Sequence, residues 1–261
     1  MHIIDIHTHI YPDDIAQKAT DSVKQFYGSG GSNMNGTESM LLRRGREAGI
    51  SRFVILPVAI RPDRVRHIND FVLQKTDKNP EFVPFGTVHA AMEGLMEETE
   101  RLLAAGVKGI KMHPDSQRFP IDDPRLFPVY EAIRGRVPVL LHMGDQRYNY
   151  SHPVKLRKIL NMFPGLSAIA AHFGGYSMYE EAREQLQDTG CVMDISSSLM
   201  FMEKGVAERY VNLYGAERLA FGTDYPMWDP VQEVQRFLSL NITDEQKEQI
   251  ACKTAKRILN L

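Results

Sequence analysis

The chain offers little for cross-linking, membrane insertion or nucleic-acid binding. Only two cysteines, Cys191 and Cys252, occur in 261 residues. One falls in an apolar strand and the other in a C-terminal helix, so they read as buried thiols of a reducing compartment, not a disulfide framework. No apolar run approaches the ~20 residues a membrane span needs. The N-terminus runs straight into a polar strand, which predicts no secretory signal segment and a cytoplasmic protein. Basic and acidic residues number 31 and 33, so no net field draws the chain to nucleic acid or an anionic membrane. Arg43, Arg44 and Arg46 form a short basic cluster that reads as one solvated helix face. A glycine-rich phosphate loop is also missing after the first strand, where His-Thr-His-Ile-Tyr-Pro stands instead.

What is present is a repeated alternation. Apolar runs at 52–58, 82–88, 107–112, 137–142, 166–172, 191–195 and 218–222 follow the strand in the first nine residues. Stretches with helical spacing separate them. Continuous apolar runs are expected of strands buried on both faces. Eight strands alternating with helices predict an α/β fold, a single-domain (β/α)8 TIM barrel over residues 1–261. Thr243 and Gln246 have the spacing of a capping box before the closing helix. The glycine-rich stretch 28–36 reads as a mobile loop that would lie over the first strand's end, as a lid or as plain surface.

Strand alternation sends His7 and His9 to the same side, with Cα atoms roughly 6.5 Å apart. Two imidazoles so placed can hold a divalent ion, or can be exposed histidines at a frayed end. In a barrel of this class the active site lies at the C-terminal ends of the strands. Those ends carry Lys111 and His113, His142, His172 and Asp224. Each alone suits a structural group bonded to its neighbours. Together they would converge on one mouth. His89 and His152 read as structural.

The segments Asp-Ile-His-Thr-His-Ile-Tyr-Pro, Ala-His-Phe-Gly-Gly and Phe-Gly-Thr-Asp-Tyr-Pro resemble the amidohydrolase superfamily, and within it the amidohydrolase-related branch. That branch includes aminocarboxymuconate semialdehyde decarboxylase and aromatic-acid decarboxylases beside uncharacterised metal-dependent hydrolases. The resemblance spans essentially the whole chain. It implies His7, His9, His142 and Asp224 as metal ligands, with His172 orienting or protonating groups nearby, or serving as a further ligand. Three imidazoles and a carboxylate suit Zn2+, while manganese and iron accept the same set. One ion is the first expectation. Two would follow if Lys111 were carboxylated and bridging, with His142 and His172 on the second ion; otherwise Lys111 contacts substrate or Asp224.

The implied activity is hydrolysis of a small C–N or ester bond by a metal-activated water, with Asp224 taking its proton. The alternative is non-oxidative decarboxylation of a small carboxylic acid, a carbon–carbon lyase reaction with a water or His172 as proton donor. A third reading is a metal-binding scaffold without catalysis. Arg147 would clamp a substrate carboxylate or form a surface ion pair. Tyr225, Trp228 and Phe173 would form an aromatic wall or pack the rim. The expected partner is a small, anionic molecule. The branch admits homodimers, and no motif here decides the assembly.

Overall fold

Strands form where the apolar runs lie, each shorter than its run. The computed structural model describes residues 1–28 and 31–261. The strands are β1 (Ile3–Thr8), β2 (Ile50–Ile55), β3 (Phe82–Pro84), β4 (Gly86–Thr87), β5 (Ile110–Met112), β6 (Val139–Leu141), β7 (Ala168–Ala170), β8 (Val192–Asp194) and β9 (Leu219–Ala220). All pair in parallel, in the orders β1-β2-β3 and β4-β5-β6-β7-β8-β9.

The run at 82–88, expected as one strand, is divided. Its first half pairs with β2 and its second with β5. At Phe85 the backbone changes partner: Phe85 N–H donates to Ile55 C=O at 3.2 Å and Gly86 N–H to Gly109 C=O at 2.9 Å. The remaining gap, between β9 and β1, is closed at the top. Ile6 N–H donates to Phe221 C=O at 3.0 Å, Asp224 N–H to His7 C=O at 2.8 Å and His9 N–H to Tyr225 C=O at 2.8 Å. The sheet is thus a barrel of eight strand positions, the third of them broken. Its strand residues are almost all buried, as helical crossovers on the outside require.

Helix starts carry their expected caps. Thr37 accepts from Met40 N–H, and Asp229 caps a helix with Pro230 in its first turn. The box of Thr243 and Gln246 is formed. The closing helix continues through a π-turn at Gln249–Lys253. A π-turn loosens the regular ladder, and here Ile250 C=O accepts from Phe221 N–H at 2.9 Å, docking that helix on the end of β9.

Ser29 and Gly30, within the loop expected to be mobile, lie outside the described residues. The remainder of that loop is tied down. Ser32 N–H donates to Met227 C=O at 2.7 Å, Ser32 Oγ to Pro226 C=O at 2.9 Å, and Gly36 C=O accepts from Tyr11 N–H at 2.9 Å. Composition suggested mobility, but distant backbone supplies the partners. Both cysteines are buried and free. Among the described residues, no helix is long and apolar enough to cross a membrane.

Candidate metal centre

β1 ends at the mouth and presents His7 and His9 there. His7 Nδ1 meets Asp194 Oδ2 at 2.8 Å, and His9 Nδ1 meets Leu56 C=O at 2.6 Å. Each partner is an acceptor, so each Nδ1 carries its proton and each Nε2 is left with a bare lone pair. Both lone pairs face Asp224 Oδ1, His7 Nε2 at 3.5 Å and His9 Nε2 at 3.6 Å. These spacings exceed a good hydrogen bond. They match two ligands each about 2.1 Å from a tetrahedral ion, which sit about 3.4 Å apart. Ligand atoms of His7, His9 and Asp224 all lie within 4.8 Å of one another. This donor set fits a divalent cation.

Asp194, which the sequence did not single out, holds His7 in place. It is buried at the end of β8 and also accepts from His172 N–H at 3.1 Å and Ser196 N–H at 3.0 Å. Burial works against its charge, but the contacts with His7 prevail and keep its carboxyl below the ordinary range. Ser197 Oγ donates to Asp224 Oδ2 at 2.5 Å, and Trp228 Nε1 donates to Ser197 Oγ at 2.8 Å. Trp228, expected on an aromatic wall or packed in the rim, thus joins the hydrogen-bond chain to Asp224, and its ring lies 5.7 Å from that of Phe201. Gly222 leaves room below: a Cβ there would lie 2.9 Å from His7 Cβ. His172, Phe173, Ser197 and Asp224 adopt left-handed φ of 60°, 52°, 50° and 59°. Such conformations are unfavourable for side chains with a Cβ and concentrate at functional sites.

A second group of rings adjoins the first. His172 stacks on His7 with centroids 5.1 Å apart, and its Nε2 lies 3.1 Å from His142 Nδ1. That separation suits a ring-to-ring hydrogen bond and equally two nitrogens on one cation. His142, expected among the ligands with His7 and His9, is not in their cluster. Its Nε2 faces Asp115 Oδ2 at 3.9 Å and has no hydrogen-bond partner. His113 stacks on His142 at 4.0 Å, and its Nε2 meets Tyr27 OH at 2.7 Å. Lys111 is fully buried, with Nζ 3.4 Å from His7 Nε2. Burial lowers Lys111 to about 8, and burial with the Lys111 charge lowers His7 to about 4. His7 is thereby kept neutral, as a ligand must be.

Above the rings opens a cavity of about 350 Å³ whose wall includes Tyr27, Asp145, Arg147, Tyr176 and Phe201. Arg147, expected either to clamp a carboxylate or to form a surface ion pair, is paired with Asp145 at 2.6 Å. Tyr225 is not on the wall. It is fully buried, its hydroxyl donating to Thr37 C=O at 2.8 Å. Phe173 is likewise buried, its ring beside Tyr210. His89 and His152 accept backbone N–H groups of Ala91 and Val154, in structural roles.

Metal-ligating side chains gathered at the C-terminal mouth of a parallel barrel define a class of metal-dependent barrel enzymes. The family model described as Amidohydrolase matches residues 4–261, and the chain belongs to that family. The chain matches no curated protein sequence. It superposes on an uncharacterised TIM-barrel protein of Bordetella bronchiseptica at 21% identity and TM-score 0.84, covering 100% of this chain and 99% of the other. A dihydroxybenzoic acid decarboxylase from Polaromonas sp. JS666, with bound manganese and 2-nitroresorcinol, aligns at 16% identity and TM-score 0.78 over 100% and 97% of the chains. A 5-carboxyvanillate decarboxylase from Novosphingobium aromaticivorans, complexed with manganese and 4-hydroxy-3-methoxy-5-nitrobenzoic acid, aligns at 15% identity and TM-score 0.76 over 99% and 96%. At these identities the likeness is one of fold.

Proposed function

We propose that the chain is a metal-dependent, non-oxidative decarboxylase of a small aromatic carboxylic acid. The observation that carries this reading is the position of the cavity. Its aromatic wall adjoins the second ring group, with Tyr27 and Tyr176 rings 6.0 and 5.7 Å from that of His142 and Tyr176 5.9 Å from that of His172, which in turn stacks on His7. The Tyr27 and Tyr176 rings pack on each other at 5.3 Å and offer an aromatic face to a planar acid in the cavity. The manganese-bound decarboxylases of the same fold support the choice of reaction.

A divalent cation held by His7, His9 and Asp224 supplies positive charge next to the substrate. The remaining chemistry belongs to the chain. When the bond between ring and carboxyl carbon breaks, carbon dioxide leaves and the electron pair stays on the ring carbon, which must gain a proton. His172 can give it as the imidazolium, with Nδ1–H toward Ser196 C=O at 3.0 Å and Nε2–H 3.1 Å from His142 Nδ1, regaining the proton from water on product release. The buried surroundings exclude bulk water from that transfer.

Hydrolysis of a small C–N or ester bond, the reading expected first from the sequence, is the second reading. It is favoured by Asp224, whose carboxylate beside the two bare nitrogens can accept a proton from water. The two part in their products. Metal-stripped protein reloaded with Mn2+ or Zn2+ is to be offered hydroxybenzoates, amides and lactones. We expect carbon dioxide release in step with loss of a hydroxybenzoate, abolished by chelation. Hydrolysis of amides or lactones without carbon dioxide from any acid would overturn the proposal.

A further inference from the structure

The cavity and the ring group lie side by side, and two tyrosines stand between them. Among the described residues, Tyr27, Arg147 and Tyr176 line the cavity, while His7, His9, His142, His172 and Asp224 do not. His142 and His172 are buried, with both tyrosine rings against the first and Tyr176 against the second. The two tyrosines are held unequally. Tyr176 sits in a loop stitched to its neighbour. Its N–H donates to Met143 C=O at 2.8 Å, Ser177 N–H donates to Gly144 C=O at 2.9 Å, and a Cβ on Gly144 would lie 2.5 Å from Gly175 Cα. Tyr27 ends the helix Ala16–Tyr27, whose only buried residues, Ala16 and Thr20, lie in its first half. Side chains fasten the helix end. Tyr27 OH meets His113 Nε2 at 2.7 Å, and Arg147 Nη1 donates to Phe26 C=O at 2.5 Å. The Arg147 guanidinium also lies over the Phe26 and Tyr27 rings, 4.8 and 5.4 Å from their centroids.

We propose that Tyr27 is a gate between the cavity and the ring group, closed in this structure, and that it swings out with the last turn of its helix to admit a small molecule. Tyr176 is the fixed half of the gate, and Arg147 and His113 are its latch. A molecule resting in the cavity meets the packed tyrosine pair before it meets His142 or His172, so one half of the pair must yield. The half that yields is the one whose segment buries little. Such segments open at lower free energy than the packed elements beneath them. Opening breaks the Tyr27–His113 and Arg147–Phe26 hydrogen bonds and leaves the barrel strands untouched. Reclosure over the molecule would shut water out of the buried rings.

The gate rests on the position of the ring group and not on the reaction, so it is read without turnover. His142 serves as the reporter: its Nε2 has no hydrogen-bond partner among the described residues, and only its cover keeps a reagent away. Mn2+-loaded protein is treated with diethyl pyrocarbonate, which acylates neutral imidazole nitrogen. Each histidine is followed by peptide mass mapping, with the exposed His67 as internal standard. In the wild type His142 should react about tenfold or more slowly than His67. Tyr27→Phe keeps the ring and loses the latch hydroxyl. One hydrogen bond corresponds to about a threefold to tenfold rise in the open fraction, and His142 should react faster by that factor. Arg147→Lys keeps a cation for Asp145 without the forked donor to Phe26 C=O, and should act in the same direction. Tyr27→Ala removes the gate and should speed His142 by about tenfold or more, with His67 unchanged in all three variants. Amide exchange over 24–27 in the wild type should be about tenfold or more faster than at Ala171, whose N–H bonds Leu141 C=O in the barrel. His142 rates unmoved in all three variants, as entry past the partly exposed His9 and Asp224 would give, would overturn the proposal. So would amides over 24–27 as protected as Ala171. Absence of carbon dioxide release from every acid would remove the decarboxylase reading and leave the gate standing.

Discussion

His7 offers its Nε2 lone pair to the site because Asp194 takes the proton on the opposite nitrogen. Replacing Asp194 with Asn substitutes a neutral amide for the buried carboxylate that fixes this tautomer. Outer partners of metal-ligating histidines typically account for 10–100-fold in affinity. Asp194→Asn should therefore raise the Mn2+ dissociation constant by about 10–100-fold in a direct titration, with the far-ultraviolet spectrum unchanged. Unaltered affinity would mean that Asp194 does not orient His7. His172→Asn should separate the roles differently, lowering kcat by about 10²–10⁴ with metal content retained, the range for loss of a proton donor. If metal were lost with activity, His172 would be a ligand and not the donor. His7, His9 and Asp224 were legible in the sequence because strand periodicity and strand-end position fix where such side chains go. Asp194 was not, because its role is a contact across 187 residues. Of the two readings of Arg147, clamp or ion pair, the sequence could not choose: its carboxylate partner stands two residues away, yet only the folded loop turns the two together.

At the scale of elements, alternation of apolar and helical stretches was enough to count the strand positions. It could not show the break at Phe85, where the chain stays extended and only the hydrogen-bond partners change. The short helix Pro114–Gln117 was missed as well, since its cap is the side chain of His113, a residue with few capping precedents. The helix Pro230–Leu238 supplies a pH test. Glu233 on it is buried, and burial raises its carboxyl to about 7 against the opposing pull of Arg236. The folded chain therefore keeps a proton that the unfolded chain releases above about 4.5. That stability is full below the unfolded value and is lost as pH rises through about 7. Glu233→Gln stays neutral throughout. Its melting temperature minus that of the wild type should become more positive between pH 5 and pH 8. Parallel profiles would show that Glu233 ionises freely.

Across the whole molecule, the seam that closes the barrel between β9 and β1 and the candidate metal centre coincide. β1 and β9 are joined by a few backbone bonds near the mouth, and Asp224 follows β9 while His7 and His9 belong to the end of β1. An ion held by these three side chains would connect both sides of the seam and act on the fold as well as on the substrate. A ligand at one hundred times its dissociation constant stabilises the folded state by about 2.7 kcal/mol. For a domain of this size that corresponds to a rise in melting temperature of about 5–10 °C. Chelation should remove that increment in the wild type and have no effect on His9→Ala. The location of the loss can be read by amide exchange. Protection at Ile6, His9 and Asp224, whose N–H groups cross the seam, should fall on chelation. Protection at His142 and Ala171, which bond to Met112 and Leu141 on the far side of the barrel, should hold. A uniform loss at all five amides would mean that the cation stabilises the barrel as a whole. Protection unchanged at the seam would place the ion elsewhere.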